Sequence, residues 1–345
     1  MSKRAAIAKV TGVASNTATS EHSILGSQAV VELAQEISAA IVSSSAGRKQ
    51  RVPRSACVLI ALQIQIVAVG LRRASLVDAL GLTAAQASAI NLRLNSFVKQ
   101  KAPYVDLQRV RLLYHAPTDQ TFIVSSRKNL WTDVATLTGG TESQRHYPVL
   151  WVDARSTPEH TSPTLSAPDA HTTSLITAIH EAVTTDNSLD VLIASRLVSD
   201  QKDSNIDAQL VGVALAGFLL EYGSVYCLHD IEQPSVSCAY DVRPPHRMEG
   251  AARSEANFAA PPANCLRSQP LIVYRVHWSD STSKLELLSF SVPQCLCSDG
   301  DVEKLGQELV DTFQSRVNGL HTASIFASGS ISVEIANVTL HQVAL

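Results

Sequence analysis

Two aspartates close apolar runs in this chain: Asp78 ends "ASLVD" and Asp153 ends "YPVLWVD". In an open parallel sheet, loops at the carboxyl ends of the strands gather along one edge, and ligands bind there. Carboxylates meeting at such an edge can hold a divalent cation or exchange protons with a substrate. Aspartates after strands also cap helices and stabilise turns with no chemistry at all. Position alone leaves both readings open.

Other groupings are weaker. "YCLHDIE" sets Cys227, His229 and Asp230 at a predicted strand end, but a structural zinc site takes about four ligands at partner spacings not evident here. His180 and Glu181 adjoin on a predicted helix, where neighbours point about 100° apart, so a surface face is expected. Cys295 and Cys297, as C-L-C, point to opposite sides of an extended chain and chelate poorly. The chain contains no G-x-S-x-G elbow, P-loop, H-E-x-x-H or G-x-G-x-x-G after a strand, which removes the enzyme classes those motifs mark.

Composition narrows the setting. The chain has 345 residues, 45% of them hydrophobic, and a net charge of −3. Such a chain can bury a large core, and its scattered basic residues give no field that would make nucleic acid a natural partner. A protein or small-molecule partner fits better. Six cysteines over this length suit reduced thiols in an intracellular, cytoplasmic protein. Residues 1–20 are basic and rich in Ala, Ser and Thr, a composition shared by organelle-targeting peptides and plain tails. The apolar segment 55–71 carries Gln63 and Gln65 and is shorter than the roughly 20 residues a membrane span needs. It is expected to be a buried helix, not a span.

The positioning elements follow from periodicity. A basic tail (1–22) is expected to be disordered, followed by a helix and loop (23–54) and a single α/β domain over 55–345. Within that domain, runs readable as strands and helices alternate from 74 to 229, the pattern of a mixed, mainly parallel sheet with helices on both faces. Residues 230–269, rich in Pro and Ala, read as a mobile excursion. "DAQLVGVALAGFLLEYG" reads as a buried helix capped at Gly223. Antiparallel strands are expected at the C-terminus, with "VTLHQVAL" folded back on "SISVEI" as an edge hairpin.

Several strings, "VAVGLRRASLVDALG", "QTFIVSS", "LWVDARS", "ANCLRSQPLIVYRVHW", "LLSFSVP" and "SISVEIANVTLHQVAL", resemble in their order an uncharacterised family named after open reading frame 74 of chromosome 1. The resemblance covers most of residues 60–345. It implies no activity or cofactor, but it includes Asp78, Asp153, Asn264 and Cys265, which become the candidate ligand-binding residues. Two functions follow. One is a soluble protein acting by binding, without catalysis. The other is a metal-dependent hydrolase of a phosphate ester, with Asp78 and Asp153 holding a divalent cation.

Overall fold

The computed structural model describes residues 27–44, 51–100, 102–137, 149–155, 162–185, 192–193, 205–227, 264–321 and 324–340. The expected tail, residues 230–263 of the excursion, and the chain end after 340 lie outside them.

Helix α1 (Gln28–Ser44) buries Val30, Leu33, Ala34, Ile37, Ala40 and Ile41, the three- and four-residue spacing of one helical face. Helix α2 (Arg54–Val69) is apolar on all sides for a visible reason. Ile60, Ile64 and Val67 pack with α1, while Leu62 and Ile66 enter a second core beneath the C-terminal sheet. Gly70 ends α2 in the left-handed region, φ 87°, where a glycine has no Cβ penalty. Strand β1 (Ala74–Leu76) leads to helix α3 (Ala84–Gln100). There the Thr83 hydroxyl accepts from the Gln86 amide (3.3 Å) while the Gln86 side chain accepts from the Thr83 amide (3.0 Å), a capping box.

Strands β2 (Val110–His115) and β3 (Gln120–Ser125) form a hairpin, and with β1 and the short β6 (Leu192–Ile193) make a sheet ordered β1-β3-β2-β6. Strand alternation sends Leu112 and Ile123 towards α1–α3 and Leu113, Phe122 and Val124 towards helices α4 (Ala170–Thr185) and α5 (Asn205–Leu219). Helices thus cover both faces of this sheet. A second sheet joins β5 (Thr164–Leu165), β4 (Leu150–Asp153) and β7 (Ser224–Cys227). A third is antiparallel, β10 (Ser330–Thr339), β8 (Pro270–Ser279) and β9 (Lys284–Pro293), with helix α6 (Asp299–Asn318) on one face.

The fold is therefore mixed α/β, but the expected mainly parallel sheet is not what forms. Among the described strands only β2–β6 and β4–β7 pair in parallel, and the sheets are small. Alternation of strand and helix predicts crossovers, yet β1 pairs antiparallel with β3 beyond its sequence neighbour β2; the strand pair that "VDLQRVRLLYH" and "QTFIVSS" suggest, joined by the turn at "APTDQ", does form as β2 and β3. Two further expectations change. The C-terminal strand is continuous from Ser330 to Thr339 and pairs with β8, so "SISVEI" and "NVT" form one edge strand and not a hairpin. The left-handed residue after α5 is Glu221, φ 60°, not Gly223.

Candidate functional site

Of the four candidate residues, three come together. Asp153 ends β4, buried, and Arg155 spans its carboxylate, Nε lying 2.9 and 3.0 Å from the two oxygens and Nη2 also bonding Oδ2. Arg155 bridges to Asn264, and the Cys265 amide donates to the Ala154 carbonyl at 2.9 Å. The arrangement is a strand end closed by its own charge pair. Burial pushes the Cys227 thiol up to about 12, with the Asp169 and Asp153 charges adding. Burial also raises Cys265, again helped by Asp153. Both thiols stay protonated near neutral pH, and a protonated thiol is a poor nucleophile.

Asp78 lies in a different place. It is exposed after β1, in the four-stranded sheet, and its charge is felt by the Tyr222 hydroxyl, whose pKa is raised by burial first and then by the Glu286 and Asp78 charges against the lowering effect of Arg72. Asp78 thus follows a strand of one sheet, and Asp153 ends a strand of another. Among the described residues, no three His, Cys, Asp or Glu side chains form a metal-ligating group. His229 and Asp230 lie outside the described residues. His180, expected on a surface face, is half-buried with its ring 5.7 Å from that of Trp131.

A cavity of about 780 Å³ with mixed apolar and polar walls lies where α5, the β2–β3 turn, β7 and β9 meet. One wall is the small-residue face of α5, with Gly212, Ala216 and Gly217. A Cβ on Gly212 would stand 2.4 Å from the Thr118 methyl, so only glycine lets the helix approach the turn. The turn is fixed in its own right. Thr118 Oγ1 donates to Gln120 Oε1 (3.3 Å) and sits 2.7 Å from His115 Nδ1. Asp119, left-handed at φ 52°, accepts from the Tyr114 hydroxyl at 2.7 Å.

The opposite wall is aromatic. Tyr222 stacks on Phe290 (5.9 Å, 22°), which stacks on Tyr274 (5.2 Å, 14°). A Cβ at Gly223 would come within 2.8 Å of the Phe290 ring, so this glycine serves ring packing. Tyr226 donates to the Ser291 carbonyl at 2.9 Å, and Ser224 donates to the same oxygen. Burial raises the pKa of the Tyr226 hydroxyl, against lowering by Ser291 and Ser224. At neutral pH these phenols are un-ionised hydrogen-bonding groups.

A second, polar cavity of about 370 Å³ lies between the end of α2, residues 127–133, Glu221 and the last turns of α6. It borders a buried ion network. The Glu221 carboxylate accepts from Arg316 (2.6 and 3.1 Å) and from the Arg73 backbone amide (2.7 Å). Arg73 in turn bonds both oxygens of Asp133 at 2.8 Å, and its guanidinium lies over Trp131 and Phe218 at 5.2 and 4.7 Å. Burial alone would raise the Glu221 pKa, but Arg316 and Arg73 outweigh it and hold it at about 2. The left-handed backbone at Glu221 presents its carboxylate to both arginines, which is why a glutamate occupies a conformation that favours glycine. None of these charges was singled out in the sequence. The signal was present, though: "GLRRAS" and "LLEYG" each set a charge inside an apolar run, where burial demands a partner.

Residues 253–345 match a family model. This stretch is similar to a domain of unknown function, DUF4504. It contains the third sheet and α6, and so contributes Ser291 and Phe290 to the large cavity and Arg316 to the network. No curated protein and no solved structure matches the chain. No helix among the described residues is long and apolar enough to cross a membrane.

Proposed function

We propose that this chain is a soluble intracellular protein that acts by binding, and that its ligand is a small, uncharged, partly aromatic molecule held in the 780 Å³ cavity. The observation that carries this reading is the lining. Tyr222, Tyr226 and Phe290 and the small-residue face of α5 supply most of the wall, with un-ionised hydroxyls and a single carboxylate, Asp119, which already accepts from Tyr114, and the volume is within the roughly 300–1,000 Å³ range of ligand sites. A tyrosine held above its ordinary pKa orients a ligand by hydrogen bonding and does not serve as a general base. The resemblance to the family named after open reading frame 74 of chromosome 1 is part of the same proposal. Three of its six strings fall within the matched residues 253–345.

Replacing Ala216 by Phe should fill the cavity, and the reading is tested by a thermal-shift screen of neutral aromatic alcohols. Hits should raise the wild-type melting temperature, because a ligand of the native state adds RT ln(1 + [L]/Kd). They should shift A216F far less. Hits that stabilise A216F equally would sink the assignment. A large Mg²⁺ or Mn²⁺ shift lost in both D78N and D153N would instead favour the metal-dependent phosphate-ester hydrolase, although Arg155 already occupies the Asp153 oxygens.

A further inference from the structure

The polar cavity beside the ion network is lined by more donors than the protein uses. Arg127 reaches it from the end of β3. Its Nε and Nη2 bond the Ala68 carbonyl at 3.1 and 3.0 Å, and Nη2 also bonds Asp106 at 2.7 Å, which leaves Nη1 without a partner among the described residues. Gly70 makes room for this side chain, since a Cβ there would lie 2.9 Å from Arg127 Cδ. Thr312, only 4% exposed, lines the same cavity, and its hydroxyl has no hydrogen-bond partner. Buried hydroxyls are seldom left unsatisfied without water or a ligand nearby. Asn129, Thr132 and Ser315, all exposed, complete the lining.

The charge count points the same way. Three guanidiniums, of Arg73, Arg127 and Arg316, line the cavity against two carboxylates, of Asp133 and Glu221. Just outside, Asp106 is shared by Arg127 (2.7 Å) and Arg109 (3.8 Å), which leaves the excess of one positive charge unchanged. A guanidinium with a free pair of donors, ringed by hydroxyls and an amide, matches the oxygens of a tetrahedral oxyanion.

We propose that this cavity binds a phosphate group, either free phosphate or the phosphoryl end of a small ester, through Arg127 Nη1 and the hydroxyls of Thr312 and Ser315. The site is separate from the large cavity and from Asp78 and Asp153. A single phosphate fits easily in 370 Å³.

Isothermal titration calorimetry of the full chain with inorganic phosphate, at ionic strength held constant with chloride, tests the proposal. Saturable binding is expected, weakened at least tenfold by Arg127→Gln. Thr312→Val should weaken it severalfold while keeping the fold, because valine matches the shape and removes only the unpartnered hydroxyl. Arg275→Gln removes a charge from the outer face of the third sheet, where Arg275 pairs with Glu334, and should leave binding unchanged. If R127Q does not fold, T312V carries the decision. Glycerol phosphate binding tighter than phosphate would identify an ester, and equal or weaker binding the free ion. The proposal is overturned if phosphate gives no heat beyond the chloride control, if T312V binds as wild type, or if R275Q weakens binding as much as R127Q.

Discussion

His115, 2% exposed at the end of β2, shows how one side chain sets a pH response. Burial lowers its pKa from 6.5 to about 4, so the unfolded chain binds the proton more tightly than the folded one. Its contribution to stability is complete above pH 6.5 and declines as the pH falls towards 4. The shift corresponds to roughly 3 kcal/mol at most. His115→Gln, which keeps a polar group beside Thr118, should therefore flatten urea-unfolding stability between pH 6.5 and 4.5. A residual slope should remain from His180 and His277, which burial also holds below their ordinary value. An unchanged slope would show that His115 is protonated in the fold. At this scale the sequence was readable in part. The family resemblance picks out Asp153, Asn264 and Cys265, which meet at the end of β4, and also Asp78, which follows β1 of another sheet. A position after an apolar run says that a residue ends a strand, not which strand lies beside it.

Elements were more legible than their partners. The helices expected in 23–54 and over 55–71 form as α1 and α2, and the antiparallel strands expected at the C-terminus form as β8, β9 and β10. Pairing was not legible, because a strand buried on both faces reads the same whether its neighbour runs parallel or antiparallel. Close contacts at glycines were equally hidden. Gly329, just before β10, lies against Trp278 of β8, and a Cβ there would stand 1.9 Å from the indole Nε1. That nitrogen donates to the Phe326 carbonyl at 3.0 Å, and the two rings meet edge to face at 5.5 Å. Gly329→Ala must displace either the tryptophan or the start of the edge strand. The cost should be about 1–3 kcal/mol of overpacking, plus about 1 kcal/mol if the indole bond is lost. Denaturant unfolding followed by tryptophan fluorescence would measure it. A change within about 0.5 kcal/mol, typical of a surface site, would show that this loop yields freely.

Across the whole molecule, Glu221 ties together segments distant in sequence. Arg73 precedes β1, Glu221 follows α5, and Arg316 lies in α6, within the part similar to DUF4504. Arg316 also donates to the Leu71 carbonyl at 3.0 Å, and Arg72 donates to the Leu220 carbonyl at 3.2 Å. One carboxylate thus joins the first sheet, the helix behind it and the C-terminal unit. Glu221→Gln leaves the Arg316 guanidinium without its counter-charge, and breaking such a buried pair costs about 3–5 kcal/mol. The acid response should change with it. A folded pKa near 2 against an ordinary 4.5 gives stability that is present above pH 4.5 and lost as the pH falls towards 2. E221Q should lose that limb of the profile while keeping the His115 limb. Arg316→Met lacks the charge that Glu221 needs and should destabilise comparably. The double variant E221Q/R316M should recover part of the loss, because neither member of the Glu221–Arg316 pair is then left charged without the other. Strict additivity of the two single effects, measured by urea unfolding at pH 7, would mean that the bonds to Glu221 act independently and that the three segments are held together by their apolar cores alone.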